Sequence, residues 1–267
     1  MLKKISSILE KNQIFDFGVV AFDDISSILN CKAKVKIPAT CASIIVCTFP
    51  YYWGESEQQN LCKYACLPDY HNVLSPILKK VCDTLSLEYP GEEFQYFIDS
   101  SPFPEVELGV KAGLGVRGKN NLLLTPKHGS FVFIAEIATT LNLTAFKYKP
   151  STCCSCNKCK DACPNNAITD NGIEYSRCLS NITQKKGELT KQEQEAIKKS
   201  GVAWGCDVCQ NVCPANSLLS KTHISEFLSD IITTINEENI DELLCSRSFA
   251  YKGKKVIKRN MDIIKND

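Results

Sequence analysis

Two stretches decide how this chain is read: Cys153-Cys-Ser-Cys156-Asn-Lys-Cys159-Lys-Asp-Ala-Cys163-Pro164, and further on Cys206-Asp-Val-Cys209-Gln-Asn-Val-Cys213-Pro214. The first is C-x2-C-x2-C-x3-C-P, a comb in which three thiolates hold one iron–sulfur cluster and the fourth reaches across to a second. The other stretch repeats the latter half of the comb, C-x2-C-x3-C-P, which leaves one thiolate to be found. Cys178 supplies it from a loop of irregular length. Crossed ligation then gives one [4Fe-4S] cluster to Cys153, Cys156, Cys159 and Cys213, and the other to Cys178, Cys206, Cys209 and Cys163. Structural zinc is the alternative for C-x2-C pairs, but zinc takes four ligands per ion and has no use for a three-cysteine comb closed by Cys-Pro. Cys154 adjoins Cys153 without fitting the comb.

Working outward, the 267 residues contain sixteen cysteines, and the eight outside this ligand set show no disulfide-like regularity. The opening MLKKISSILEKN lacks the apolar centre of a signal peptide. The longest apolar run, Ala42 to Phe49, is too short to span a bilayer. The expectation is a cytoplasmic protein without a membrane partner, in a compartment where thiols stay reduced. A hydrophobic content of 44% and a charged content of 23% suit a globular chain, and the net charge of +1 gives no global case for nucleic acid. The one concentrated basic run, Tyr251 to Arg259, is read first as a solvated tail and second as a phosphate-contacting patch.

Upstream of the combs, Leu2, Ile5, Ile8 and Leu9 mark an opening helix over residues 2–12. A break is expected at Phe17-Gly18. Ala42 to Phe49 and Phe94 to Ile98 read as strands, with Pro50 and Asp99-Ser-Ser-Pro102 ending them. Residues 57–87 read as helical with a break at Leu67-Pro68, Glu105 to Ala112 as a short helix, and Asn121 to Leu124 and Phe131 to Thr139 as further strands. The fold class expected is α+β, an α/β-like domain over residues 1–145, followed by a ferredoxin-like double-cluster domain over 146–225 and a short helical extension over 226–267. A polar helical insertion is expected between Thr183 and Ser200.

Three motifs outside the combs invite a chemical reading. Gly113-Leu-Gly115-Val-Arg-Gly118-Lys119 contains both G-x-G-x-x-G and G-x4-G-K. The element order, helix before and strand after, is wrong for a dinucleotide fold, and Asn120 stands where a P-loop needs Ser or Thr. A cofactor-cradling loop and a plain tight turn remain open. Asp69-Tyr-His71 approaches D-x-H-x-x-G, but Leu74 replaces the glycine, so a helix-start aspartate with a histidine contact is preferred. Asp99 follows an apolar strand, where a carboxyl can be a poised proton donor or a turn residue.

Together, Tyr64-Ala to His71, Phe97-Ile-Asp99-Ser100-Ser-Pro102, Lys111-Ala-Gly113 to Lys119, Gly129-Ser to Glu136-Ile137, and the double-cluster region with Trp204-Gly-Cys206 resemble the epoxyqueuosine reductases, relatives of the reductive dehalogenases. The resemblance spans about residues 1–260. It implies reductive removal of an epoxide oxygen from the queuosine precursor in tRNA, with base-off cobalamin held by the amino-terminal domain against the cluster domain. It assigns the general-acid role to Asp99 and cofactor contacts to Asp99, Ser100, Lys111, Gly113, Gly115, Gly118 and Lys119. A ferredoxin or flavodoxin electron donor and a monomeric state are implied. Two features depart from the family pattern: Val116 replaces an aromatic in the glycine loop, and the sequence stops where a tRNA-gripping helical-repeat domain would begin, so a short form is expected. A cobalamin-dependent reductase of a non-tRNA molecule and a pure electron carrier are the competing classes.

Overall fold

The computed structural model describes residues 1–144, 153–154 and 156–265. The chain divides into two compact units that interleave along the sequence. One comprises Met1–Pro50, Leu74–Gly118 and Leu122–Cys153; the other comprises Tyr51–Val73, Lys119–Asn121 and Cys154–Asp267. The expectation of one cut near residue 145 therefore differs from what the structure shows, because two earlier segments belong with the cluster region.

The first unit opens with α1 (Leu2–Lys11), which buries Ile5, Ile8 and Leu9, the periodic residues of the sequence. A four-stranded antiparallel sheet follows, ordered β1-β2-β6-β3, from β1 (Asp16–Ala21), β2 (Ser43–Pro50), β3 (Phe94–Ile98) and β6 (Val132–Thr139). Between them come α2 (Tyr70–Glu88), α3 (Glu105–Lys111), and a small hairpin of β4 (Val116–Arg117) and β5 (Leu123–Leu124). Every residue of β2 is buried. This is why its sequence reads as a continuous apolar run rather than an alternation. Val20, Ile44, Val46, Phe97, Phe103, Leu108, Ala112 and Ala138 form one core cluster joining sheet and α3.

β1 occupies the place where a break was expected. Gly18 is the reason for both the misreading and the strand. A Cβ built on it would lie 2.1 Å from the Ala112 carbonyl oxygen, so the strand meets the end of α3 backbone to backbone. Gly18→Ala must push these elements apart, at a cost of about 2 kcal/mol. The expected result in a thermal melt is a midpoint lower by roughly 5 °C, with far-ultraviolet circular dichroism otherwise unchanged.

The second region to differ is 57–69, where a helix was expected. Only a 3-10 turn, Lys63–Cys66, forms there. Its backbone groups are taken by distant partners of the same unit: Cys62 N–H donates to Trp204 O, Ala203 N–H to Asn60 O, and Ile232 N–H to Cys66 O. Pro68 further disfavours helical backbone at Leu67.

The second unit continues with α4 (Lys158–Asp161), the hairpin of β7 (Ile168–Thr169) and β8 (Gly172–Ile173), α5 (Leu179–Gln184), α6 (Lys191–Ser200), α7 (Val208–Asn211), α8 (Ser225–Leu228), α9 (Ile240–Ser246) and α10 (Lys254–Lys265). The expected insertion helix is α6. Thr190 and Glu193 close a capping box at its start, and Gly201 in the left-handed region ends it. Leu179, Ile182, Leu189 and Ile197 pack as its core cluster. No described helix is long and apolar enough to cross a membrane.

Candidate cluster centre and the Asp99 loop

The two short helices α4 and α7 each carry the middle cysteine of a comb, Cys159 and Cys209, and they pack against each other. Cys178 caps the start of α5. Burial pushes the Cys206 thiol up to about 11, and the negative character of Cys178 and Cys163 acts in the same direction. Burial likewise raises Cys209 to about 12; Cys206, Cys178 and Cys159 add to it, and an Asn120 side-chain hydrogen bond opposes it. Cys163 and Cys178 thus act electrostatically on Cys206, and Cys178 and Cys159 on Cys209, although among the described residues no three such side chains already stand as a metal-binding group. Ligation needs thiolates, and burial holds Cys206 and Cys209 in the thiol form unless a cationic centre compensates them. That donor chemistry fits an iron–sulfur cluster. The Ala167 N–H donates to Cys163 Sγ at 3.2 Å, the kind of hydrogen bond to sulfur that tunes a cluster. Of the remaining comb residues, Cys153, Cys159 and Cys213 are half-buried, while Cys156 and its neighbour Cys154 are exposed.

Around the second comb lies a polar scaffold that sequence reading passed over. Gly205 has φ +74°, and a Cβ there would meet Cys62 Sγ at 2.1 Å. Asp207, between two comb cysteines, is buried; its carboxylate accepts from Lys63 N–H at 2.6 Å and from Gln210 Nε2 at 3.2 Å. Burial raises its pKa to about 6 despite those donors. The Lys63 ammonium is buried as well, donating to Gly54 O and Glu55 Oε2 and lying 4.9 Å from the Trp53 ring centroid. These contacts pin segment 51–73 to the comb.

In the first unit, Asp99 directly follows β3, is exposed and has φ +51°. The left-handed region is uncommon for a side-chain-bearing residue, though aspartate tolerates it better than most. Ser100 is exposed and Ser101 is buried, its hydroxyl accepting from Phe103 N–H at 3.2 Å. Pro102 O accepts from Leu29 N–H at 2.7 Å.

Beneath this loop is a group that sequence reading did not single out. Glu136, on β6, is 0% exposed and sits in register between Val46 of β2 and Phe97 of β3. Neither carboxyl oxygen reaches a partner at hydrogen-bond geometry among the described residues. Burial drives its pKa well above 4.5; the Glu105 carboxylate adds to the rise and the Ser101 hydroxyl offsets part of it. Glu136 in turn adds to the rise that burial gives the Cys47 thiol of β2. The folded protein therefore holds a proton here that the unfolded chain releases near 4.5. This stability contribution is complete below that pH and is lost as pH rises through the folded value. Glu136→Gln cannot ionise, so its melting temperature is expected to fall less between pH 5 and pH 8 than that of the parent protein.

The glycine loop is occupied by protein. Gly113, with φ +76°, turns the chain after α3. A Cβ on Gly115 would lie 2.3 Å from Leu124 O, and Gly118 N–H donates to Leu122 O. Lys111 Nζ is held by Glu107 and by Asp24 O, each at 2.7 Å. Lys119 Nζ is held by Asn157 Oδ1 and lies 3.8 Å from Asp170. These contacts give the loop the geometry of a tight turn. His71 bonds Asp69 Oδ1 through its backbone N–H and Nδ1 at the start of α2, as the preferred reading expects.

The basic run is no solvated tail. Residues 254–265 form α10, in which Lys254 pairs with Asp241, Lys258 with Glu237 and Asp262, and Lys265 with Glu237. Arg259 donates to the carbonyls of Lys185 and Gly187. Within the run, Lys254 and Lys258 thus meet acidic partners and Arg259 meets backbone carbonyls.

Residues 152–216 match the 4Fe-4S double cluster binding domain, and residues 35–100 match the family described as Epoxyqueuosine reductase QueG, DUF1730. The chain is 36% identical over 248 residues to the epoxyqueuosine reductase of Cyclobacterium marinum, covering 87% of this chain and 79% of that protein. In fold it is similar to the epoxyqueuosine reductase of Streptococcus thermophilus, with a TM-score of 0.84 and 21% identity over 99% of this chain and 80% of that one. It is also similar to an epoxyqueuosine reductase bound to an epoxyqueuosine-modified tRNA stem loop, with a TM-score of 0.82 and 23% identity over 98% and 81% of the two chains.

Proposed function

The chain belongs to the epoxyqueuosine reductase family, and we propose that it reduces the epoxide of epoxyqueuosine in tRNA to the alkene. The observation that carries this reading is the 36% identity to one such reductase across 79% of its length. Removing the epoxide oxygen as water consumes two electrons and two protons. In this reading Cys153, Cys156, Cys159 and Cys213 would hold one [4Fe-4S] cluster and Cys178, Cys206, Cys209 and Cys163 the other, and such clusters would supply one-electron transfer. A ferredoxin or flavodoxin supplies the electrons. Asp99, exposed in its loop, gives a proton to the oxygen as the carbon–oxygen bond breaks. Partial burial of the second comb limits water at the sulfurs, and hydrogen bonds such as Ala167 N–H to Cys163 tune the sulfur electron density.

Cobalamin is the cofactor that the sequence resemblance implies for the reducing step. Among the positions assigned to it, Asp99, Ser100 and Gly113 are exposed. Lys111, Gly113, Gly115, Gly118 and Lys119 are engaged within the protein.

The test is anaerobic reconstitution with iron, sulfide and cobalamin, followed by an assay on epoxyqueuosine-containing tRNA. The expected result is about eight iron atoms per chain, four for each cubane, and alkene formation in tRNA. Turnover of another epoxide but not of the modified tRNA would make the chain a reductase of a different substrate. Full cluster loading without cobalamin binding or turnover would make it an electron carrier.

A further inference from the structure

The Asp99 loop starts and ends on the same buried carboxyl. Glu136 pairs in register with Phe97, two residues before Asp99. Ser101, two residues after Asp99, acts on the Glu136 carboxyl without completing a hydrogen bond to it, and Glu105, in the first turn of α3, bears on it electrostatically. The rest of its surroundings are apolar: Val46 and Phe97 are its cross-strand neighbours, and Ala138 shares its sheet face. A leucine would suit such a core better than a carboxyl, because a buried polar group without bonded partners is a liability to the fold. The loop above needs holding, since Asp99 lies at φ +51° in a region that side-chain-bearing residues adopt only when surrounding structure enforces it.

We propose that Glu136 is a positioning residue for the reaction: buried beneath the loop and in register with Phe97, it fixes the backbone that presents Asp99 to the departing oxygen. This rests on the reading of Asp99 as the general acid. Glu136 touches neither substrate nor cofactor and acts only through the loop. Complete burial beside Glu105, the titratable group that faces it from α3, keeps its carboxyl neutral, and it in turn adds to the rise that burial gives the Cys47 thiol of β2.

Stability and turnover should then move in opposite directions. Glu136→Leu, measured in the reconstituted full chain, is expected to melt at the same temperature or higher and to bind substrate with unchanged affinity. Its single-turnover rate should be about tenfold lower, the scale of a displaced rather than a deleted acid. Hydrogen exchange of the amides from Asp99 to Phe103 should quicken in the leucine variant, a readout independent of activity. Glu136→Gln keeps a donor and the side-chain shape, so its rate and loop protection should lie within about threefold of the parent values. In an Asp99→Asn background, Glu136→Leu should slow the reaction no further, because two residues acting as a unit are not additive. A leucine variant with parental rate and parental loop exchange would overturn the proposal. So would an equal loss in the glutamine and leucine variants, or a full tenfold loss added to Asp99→Asn. If Asp99→Asn itself turns over normally, the general-acid reading fails; loop exchange in the leucine variant then still reports whether Glu136 holds the loop.

Discussion

Asp99→Asn is expected to load its clusters fully, to melt within a degree or two of the parent protein, and to turn over roughly 10²-fold to 10⁴-fold more slowly. The magnitude is the usual contribution of a positioned general acid, and the geometry says why stability should be spared. Asp99 is exposed and lies at φ +51°. Asparagine is as tolerant of that backbone region as aspartate, so the exchange adds no strain. It keeps the size and the hydrogen-bonding capacity of the side chain and removes only the transferable proton. A turn-stabilising aspartate would show the reverse pattern, a loss of about 1 kcal/mol in stability with the rate per folded enzyme preserved. Iron content, melting temperature and single-turnover rate on one preparation separate the two. Near-parental turnover in a fully loaded variant would remove Asp99 from the chemistry and leave the oxygen to be protonated by water.

What the sequence discloses depends on how local the underlying physics is. Cluster ligation is local: thiolates three residues apart on a tight turn converge whatever surrounds them, so both combs stand out at once. β2, β3 and β6 are legible for a similar reason, since a short β-branched apolar run suits a buried strand. β1 is hidden because Gly18 looks like a break when its role is to let β1 approach α3, a contact made by Ala112, far along the chain. Segment 57–69 imitates a helix because its hydrogen-bond partners, Trp204, Ile232 and Ile235, lie at the other end of the sequence. The same holds for the candidate site. Asp99 draws attention as a carboxyl ending an apolar strand, whereas Glu136 is concealed inside one. A signal was present, since Ile134, Glu136 and Ala138 alternate onto one face and the carboxylate interrupts an otherwise apolar stripe. Reading that interruption as chemistry requires knowing that the loop of Asp99 and Ser101 lies above it. The basic run misleads in the opposite sense, because its acidic partners Glu237, Asp241 and Asp262 are dispersed and only α10 brings them opposite the lysines.

Cys178→Ser is expected to cost the chain one cluster and with it nearly all turnover. Cys178 is the one proposed ligand outside the compact combs, yet its sulfur acts on both Cys206 and Cys209. It also starts α5, whose Leu179 and Ile182 are anchored in a hydrophobic cluster. The anchoring leaves the position little freedom to move, so the neighbouring chain cannot readily bring another thiolate to the vacated iron. A serine hydroxyl ionises far less readily than a thiol and is a harder donor, poorly matched to iron in a sulfide cubane. Iron should fall from about eight atoms per chain to about four. The cluster of Cys153, Cys156, Cys159 and Cys213 should survive, because its ligand set is untouched. Electrons then still enter the protein but lack the second carrier, and reduction of the epoxide should fall by at least about 100-fold, beyond the effect expected of a distant structural change. Iron analysis, electron paramagnetic resonance of the reduced protein and single-turnover assays distinguish the loss of one cluster from general collapse. Collapse would remove all the iron and lower the melting temperature of the sheet unit as well. Retention of about eight iron atoms with two parental cluster spectra would show that the eighth ligand is another of the sixteen cysteines.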